Sequence, residues 1–179
     1  MVSNTYSNGA GEAVFYGGDV VPSQAFRCCY NLSSVSIPQN TKTIGSGAFS
    51  SCYDLTYVDI PNSVTKIGDG SFSGCSLLEE ISLPEKLSVI GPWAFKNCRS
   101  LTEVTIPGGV TSIGDEAFSG CNDLTKVYCK PVTPPEVTNY IFGWPASARN
   151  IKIYVPAQSY DLYYSTKYWY DYYIYVGNY

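Results

Sequence analysis

The sequence predicts a repeat solenoid, a right-handed coil with a parallel sheet on one face and short helical or 3₁₀ turns opposite. Three observations carry that prediction. Phe26, Phe49, Phe72, Phe95 and Phe118 stand 23 residues apart, and Cys29, Cys52, Cys75, Cys98 and Cys121 repeat the same step. Leu32, Leu55, Leu78, Leu101 and Leu124 hold that register, as do Pro38, Pro61, Pro84 and Pro107. An Ile-Gly pair marks Ile44-Gly45, Ile67-Gly68, Ile90-Gly91 and Ile113-Gly114. Five position types in one register identify stacked supersecondary units, none of which can bury its apolar face alone.

Each unit reads in order. In Leu55-Thr56-Tyr57-Val58-Asp59-Ile60-Pro61, Val58 and Ile60 alternate with Tyr57 and Asp59, the period-2 pattern of a half-buried strand. Pro61 lacks a backbone donor and ends that strand. Val64 and Ile67 lead into Gly68, which suits a sharp bend. Ser71-Phe72-Ser73-Gly74-Cys75 then makes a compact turn that drops Phe72 and Cys75 inward. Units stacked at the strand spacing of about 4.8 Å bury Phe, Leu, Ile and Cys as continuous ladders.

The flanks are less regular. Residues 1–19 are either a weak N-terminal cap or the stump of a longer array, since Val14 alone fits the strand pattern of a preceding unit. Residues 20–130 hold the repeats. Residues 131–179 form a stretched last repeat and a tyrosine-rich cap. There Pro134-Pro135 breaks the register, and Ile141-Phe142 stands as a further ladder step. Residues 151–156 read as the last strand, residues 157–170 as a short helix over the open end, and residues 172–176 as extended. Terminal units need such a cover because their ladders otherwise face water.

The residues L-x-x-V-x-I-P, then V-x-x-I-G, then A-F-x-x-C, as in Leu101 to Pro107 and Val110 to Cys121, resemble the BspA-type (treponemal-type) leucine-rich-repeat family. The likeness covers about residues 20–130. Three departures stand out: Ser71 replaces Ala, Pro22 replaces Gly after Val21, and Leu83 replaces Ile. The resemblance implies a leucine-rich-repeat solenoid of α/β type. It also implies a surface-exposed or secreted protein of host-associated bacteria that takes part in adhesion and protein binding, with no catalytic residue and no cofactor.

Composition narrows the function classes. Lys plus Arg is 11 and Asp plus Glu is 15, for a net charge of -4. This gives no electrostatic reason to expect nucleic acid or an anionic membrane as partner. No apolar run approaches the roughly 20 residues of a membrane span. No leader is visible at the N-terminus, so an extracellular or cell-surface location implies a signal removed upstream. Histidine is absent, which removes the usual base near neutral pH and the commonest metal ligand. The in-register cysteines are expected to stack as small buried hydrophobes, too far apart for disulfides. Cys129 falls on a core strand position. Cys28 points elsewhere and is the one candidate for an odd reactive thiol. Glu79-Glu80, Asp69 and Asp115-Glu116 read as solvated surface and not as paired catalytic carboxylates.

Two candidate surfaces remain. Outward strand positions are Ser34 and Ser36, Tyr57 and Asp59, Glu80 and Ser82, Glu103 and Thr105, and Lys126 and Tyr128. They run as two rows with an acidic middle and tyrosines near the edges, and a protein partner is expected there. The second is the tyrosine-rich end with Tyr164, Tyr168, Tyr170, Tyr173, Tyr175 and Tyr179, where nine of the 17 tyrosines gather. That end is read either as a cap or as a glycan-stacking platform. A structural spacer within a larger surface protein is the remaining alternative.

Overall fold

The computed structural model describes residues 2–7 and 10–15 as backbone, and residues 18–143 and 150–177 with side chains. The strands run β1 (Val2–Ser7), β2 (Ala10–Phe15), β3 (Val20–Val21), β4 (Leu32–Ser36) and β5 (Thr43–Ile44). They continue as β6 (Tyr57–Asp59), β7 (Lys66–Ile67), β8 (Val89–Ile90), β9 (Glu103–Ile106) and β10 (Ser112–Ile113). β11 (Lys126–Cys129) and β12 (Lys152–Pro156) follow. A 3₁₀ turn at Ala157–Ser159, helix α1 (Tyr160–Ser165) and β13 (Tyr173–Gly177) close the order.

Consecutive coils pair in parallel with residue i on residue i+23, as Val35 on Val58 and Thr43 on Lys66. The sequence predicts one parallel sheet, with one strand from each unit. The structure has a second one, in the order β10-β8-β7-β5-β3, built from the Ile-Gly segments. Two facts explain it. Its pairs Thr43-Ile44, Val89-Ile90 and Ser112-Ile113 carry β-branched residues, which favour extended backbone. The stack also offers each N–H a partner one rung away, as Gly68 N–H donating to the Ile44 carbonyl at 2.8 Å. Gly68 itself is required by close approach, because a Cβ there would lie 2.7 Å from that carbonyl oxygen. Pro22, where the repeat has Gly, follows β3 at the edge of this sheet, with no described rung beneath it.

The third face is the Phe-Cys segment. It forms successive i→i−3 turns, as Ala48 N–H to the Gly45 carbonyl and Cys52 N–H to the Phe49 carbonyl, and not a continuous helix. The reason is that alternate N–H groups turn to the next rung: Phe49 donates to the Ser71 carbonyl at 2.7 Å and Phe72 to the Ala94 carbonyl at 2.8 Å. The phenyl rings stack in one ladder, with centroids 5.4 Å apart for Phe26–Phe49 and 5.3 Å for Phe49–Phe72. Phe142 extends it at 5.9 Å from Phe118, tilted by 30°. The stretched last repeat is thus a true ladder step.

The cysteines have a polar reason to repeat. Cys52 Sγ donates to the Phe26 carbonyl at 3.1 Å, Cys75 to Phe49 at 3.3 Å, and Cys98 to Phe72 at 3.2 Å. Cys121 does the same to Phe95 at 3.1 Å. A small side chain with a weak donor fills the space and satisfies a carbonyl of the rung before.

The two ends differ. At the start, β1 and β2 form an antiparallel hairpin, and β2 pairs in parallel with β4. At the other end Tyr163, Trp169 and Tyr172 are buried. Tyr163 Oη donates to the Pro131 carbonyl at 2.9 Å, and Trp169 Nε1 to the Pro135 carbonyl at 3.1 Å. The proline-rich break in register therefore presents the acceptors that the cap's aromatic donors need. β13 then adds in parallel to β12, so Tyr173–Gly177 continue the strand face, one residue later than the expected 172–176.

Candidate interaction surface

The strand face is built by the same pairing. Ser34 aligns with Tyr57, and Ser36 with Asp59. Further along, Glu103 aligns with Lys126 and then Lys152, and Thr105 with Tyr128 and then Tyr154. Tyr173 and Tyr175 complete the two rows on β13. Side chains between them point inward, as Val58, Val104, Val127 and Ile153, all buried. Tyr57, Glu103 and Lys126 are exposed, while Asp59, Thr105 and Tyr128 are half-buried.

Glu80 and Ser82 sit where the rows pass through residues 79–82, and that stretch forms no strand. The strand face is consequently two four-stranded sheets, β1-β2-β4-β6 and β13-β12-β11-β9, with one rung between them that forms no strand and keeps the Thr102 N–H to Glu79 carbonyl bond at 3.3 Å. The opening is confined to this side, since Phe72 keeps its stack on Phe95 at 5.4 Å. Glu80 and Ser82 line a concavity of about 330 Å³ with Tyr57, Asp59 and Glu79. On the other side they line one of about 320 Å³ with Glu85, Glu103, Thr105 and Lys130. Like charges on neighbouring rungs oppose pairing, and Glu80 falls beside Glu103 in its row, with Tyr57 on the other side and Asp59 in the adjacent row. The cations nearby do not relieve it: Lys126 meets Glu103 only at 3.9 Å and Lys130 meets Glu85 at 3.5 Å, both largely exposed.

The C-terminal half of the face is aromatic. Tyr128 stacks on Tyr154 at 5.3 Å, and Tyr154 meets Tyr175 at 5.7 Å. Tyr173 lies beside Lys152 in the other row. The tyrosine-rich end is therefore divided. Tyr173 and Tyr175 belong to the strand face. Tyr164 stacks on Tyr160 along α1 at 6.0 Å, and Tyr168 meets the edge of Tyr140 at 5.4 Å with the Lys167 ammonium over its ring at 4.6 Å. Tyr170 is exposed in the turn after Trp169, and Tyr179 lies outside the described residues. Tyr154 was missed as a strand-face residue, although its step of 26 from Tyr128, three more than the repeat, marks it once the insertion is counted.

The remaining chemistry is structural. Burial pushes the Cys52, Cys121 and Cys129 thiols up to about 12. Such thiols are poor nucleophiles at neutral pH. Cys129 pairs with Ile106 on the core side of β11 and meets Tyr163 Oη at 3.3 Å. Cys28 is exposed. Among the described residues no group of three or more Cys, Asp or Glu is placed to hold a metal ion, and no helix is long and apolar enough to cross a membrane.

Comparison with known proteins agrees with this geometry. Residues 19–152 match six copies of the BspA type leucine rich repeat region. The crystal structure of a leucine rich repeat protein of T. pallidum is 30% identical, with a TM-score of 0.63 over 74% of this chain and 69% of that one. A leucine rich cell surface protein of Faecalibacterium prausnitzii is 32% identical at a TM-score of 0.63, over 68% of this chain and 32% of that protein. A leucine-rich repeat protein of Bacteroides ovatus, 22% identical at a TM-score of 0.53, covers 87% of this chain and 63% of its own and shares the fold. No curated protein matches the chain. A repeat that stacks in 23-residue steps, its Phe, Cys, Leu and Ile-Gly ladders and the six matched copies place this chain in the BspA-type leucine-rich-repeat family.

Proposed function

We propose that this chain is a non-enzymatic interaction module displayed outside the cell, binding a protein partner in an adhesion-type role through its strand face. The observation that supports this most is the pair of outward rows on a rigid parallel stack. They pass from an acidic cleft at Asp59, Glu80 and Glu103 to a tyrosine ladder at Tyr128, Tyr154 and Tyr175. Aromatic anchors beside charged groups give area and orientation together. The acid favours a partner segment rich in Lys and Arg. The likeness to a cell surface protein of F. prausnitzii supports the extracellular setting.

The test is a binding screen of the purified chain against extracellular-matrix proteins and glycans, with the Glu80→Ala/Glu103→Ala variant as control. A protein ligand is expected whose association slows in the variant and in high salt. A ligand bound equally by the variant at all salt concentrations would remove the acidic cleft from the proposal. Tyr154→Ala is expected to speed dissociation instead, as loss of an aromatic anchor does.

A further inference from the structure

The turn face carries a feature that the strand-face reading does not use. Two positions in each rung have a left-handed backbone; the second is Cys28, Ser51, Gly74, Asn97 and Gly120, and the first is Gln24 at φ 59°, Gly47 at 63°, Gly70 at 58°, Trp93 at 55° and Glu116 at 52°. Glycine is the residue such a backbone favours. Trp is among the least suited, and here it gains no core in exchange, being 47% exposed. Its indole has no ring or hydrogen-bond partner among the described residues. An unfavourable backbone held by a bulky exposed side chain points to function.

Its surroundings give that function a shape. Gly47 and Gly70 leave a notch of about 430 Å³ between Gln24 and Arg27 on one side and Trp93 and Lys96 on the other. A Cβ at Gly70 would meet only Ser73 at 3.8 Å, so the floor is open. The notch is shallow and open to solvent, a shape that suits a ligand stacked on the surface and not one enclosed in a pocket. Gln24 to Trp93 spans three rungs, roughly 14 Å at the strand spacing, the scale of a short oligosaccharide.

We propose that this notch binds a neutral pyranose glycan, with Trp93 as the stacking platform. A pyranose ring has an apolar C–H face and a rim of hydroxyls. The indole face fits the first. Gln24, Arg27 and Asp69 offer donors and acceptors to the second. Anionic ligands fit less well, because Asp69 shares the notch and Lys96 is already paired with Glu116 at 2.7 Å. A protein segment fits less well because the floor is serine and glycine, without an apolar pocket for an anchor side chain. The site lies on a different face from the strand rows and stands or falls independently of them.

The test titrates the full chain with maltotriose, cellotriose and chitotriose and follows the backbone amide resonances of Gly47, Gly70 and Trp93. At least one trisaccharide is expected to shift these amides with a dissociation constant on the order of 1 mM or tighter. Trp93→Gly puts here the residue that Gly47 and Gly70 supply in two of the other rungs, so it is expected to keep the fold and lose affinity about tenfold or more. Trp93→Tyr, which restores a stacking face, is expected to recover most of it. The proposal is overturned if no trisaccharide moves these amides, if Trp93→Gly binds as well as the parent, or if the shifts fall on Tyr154 and Tyr175.

Discussion

At the scale of single residues, the repeat explains most side chains by what stands one rung away. Phe72 lies between Phe49 and Phe95 and is fully buried. Phe72→Ala is expected to cost about 3–5 kcal/mol in denaturant unfolding; a loss under about 1 kcal/mol would mean that the ladder carries little of the core. Its neighbour Ser71 is the informative exception. Ala48, Ala94 and Ala117 fill the same buried position, but Ser71 brings a hydroxyl that has no hydrogen-bond partner. Burial of an unsatisfied hydroxyl is unfavourable, so Ser71→Ala is expected to stabilise the chain by about 1 kcal/mol. Calorimetry should read this as a rise of roughly 2–4 °C in melting temperature. A fall would show that the hydroxyl finds a partner in solution.

At the scale of elements, the strandless rung at residues 79–82 is where the repeat and its local chemistry conflict. The spacing is unbroken, with Leu78, Ile81 and Pro84 at their register positions. Ile81 and Ile60 are nonetheless 8% and 7% exposed, against 2% for Val104 and 1% for Ile106 at the same two positions of the repeat. Glu80→Thr removes the like charge and adds a β-branched residue. It is expected to close the ladder, worth about 0.2–1 kcal/mol for a cross-strand pair. Hydrogen exchange provides the direct reading: the Ile81 and Leu83 amides should exchange faster than Val104 and Ile106 in the parent, and slow in the variant. Unchanged exchange would show that charge does not hold the rung apart. The rung was legible in the sequence as a strand because the pattern of apolar residues is intact. Its opening was not, since it depends on which outward charges the neighbouring rungs supply.

At the scale of the whole molecule, stacking turns a repeated thiol into a property of the entire solenoid. Burial raises Cys52, Cys121 and Cys129 to about 12 and Cys75 and Cys98 well above the ordinary thiol value. In the unfolded chain these groups ionise near about 8.5. Unfolding therefore releases protons once the pH passes that value, and stability falls with rising pH. The contribution is held in full below about pH 8.5 and is lost progressively toward pH 12. Melting temperatures measured from pH 7 to 11 should decline above pH 9, and less steeply in a chain with Cys75 and Cys98 changed to Ala. Thiol titration should label Cys28 in the folded chain and all seven cysteines after unfolding without reductant. Missing thiols in the unfolded chain would mean disulfides and would contradict the stacked ladder.

The sequence alone determined the coil, its register and its core, because each rung rests on an equivalent rung and a period in the chain becomes a ladder in space. It also marked where the period fails and aromatics gather. Tertiary structure alone decided which non-repeating residues meet. It joined Tyr128, Tyr154 and Tyr175 across a stretched repeat, separated Tyr164 and Tyr168 from Tyr173, opened the acidic cleft at Glu80, and set Trp93 over a notch left by two glycines. The physical reason is the same in each case. Buried positions are fixed by packing that repeats, while outward positions depend on the offsets, gaps and backbone angles of neighbouring rungs, which no single repeat encodes.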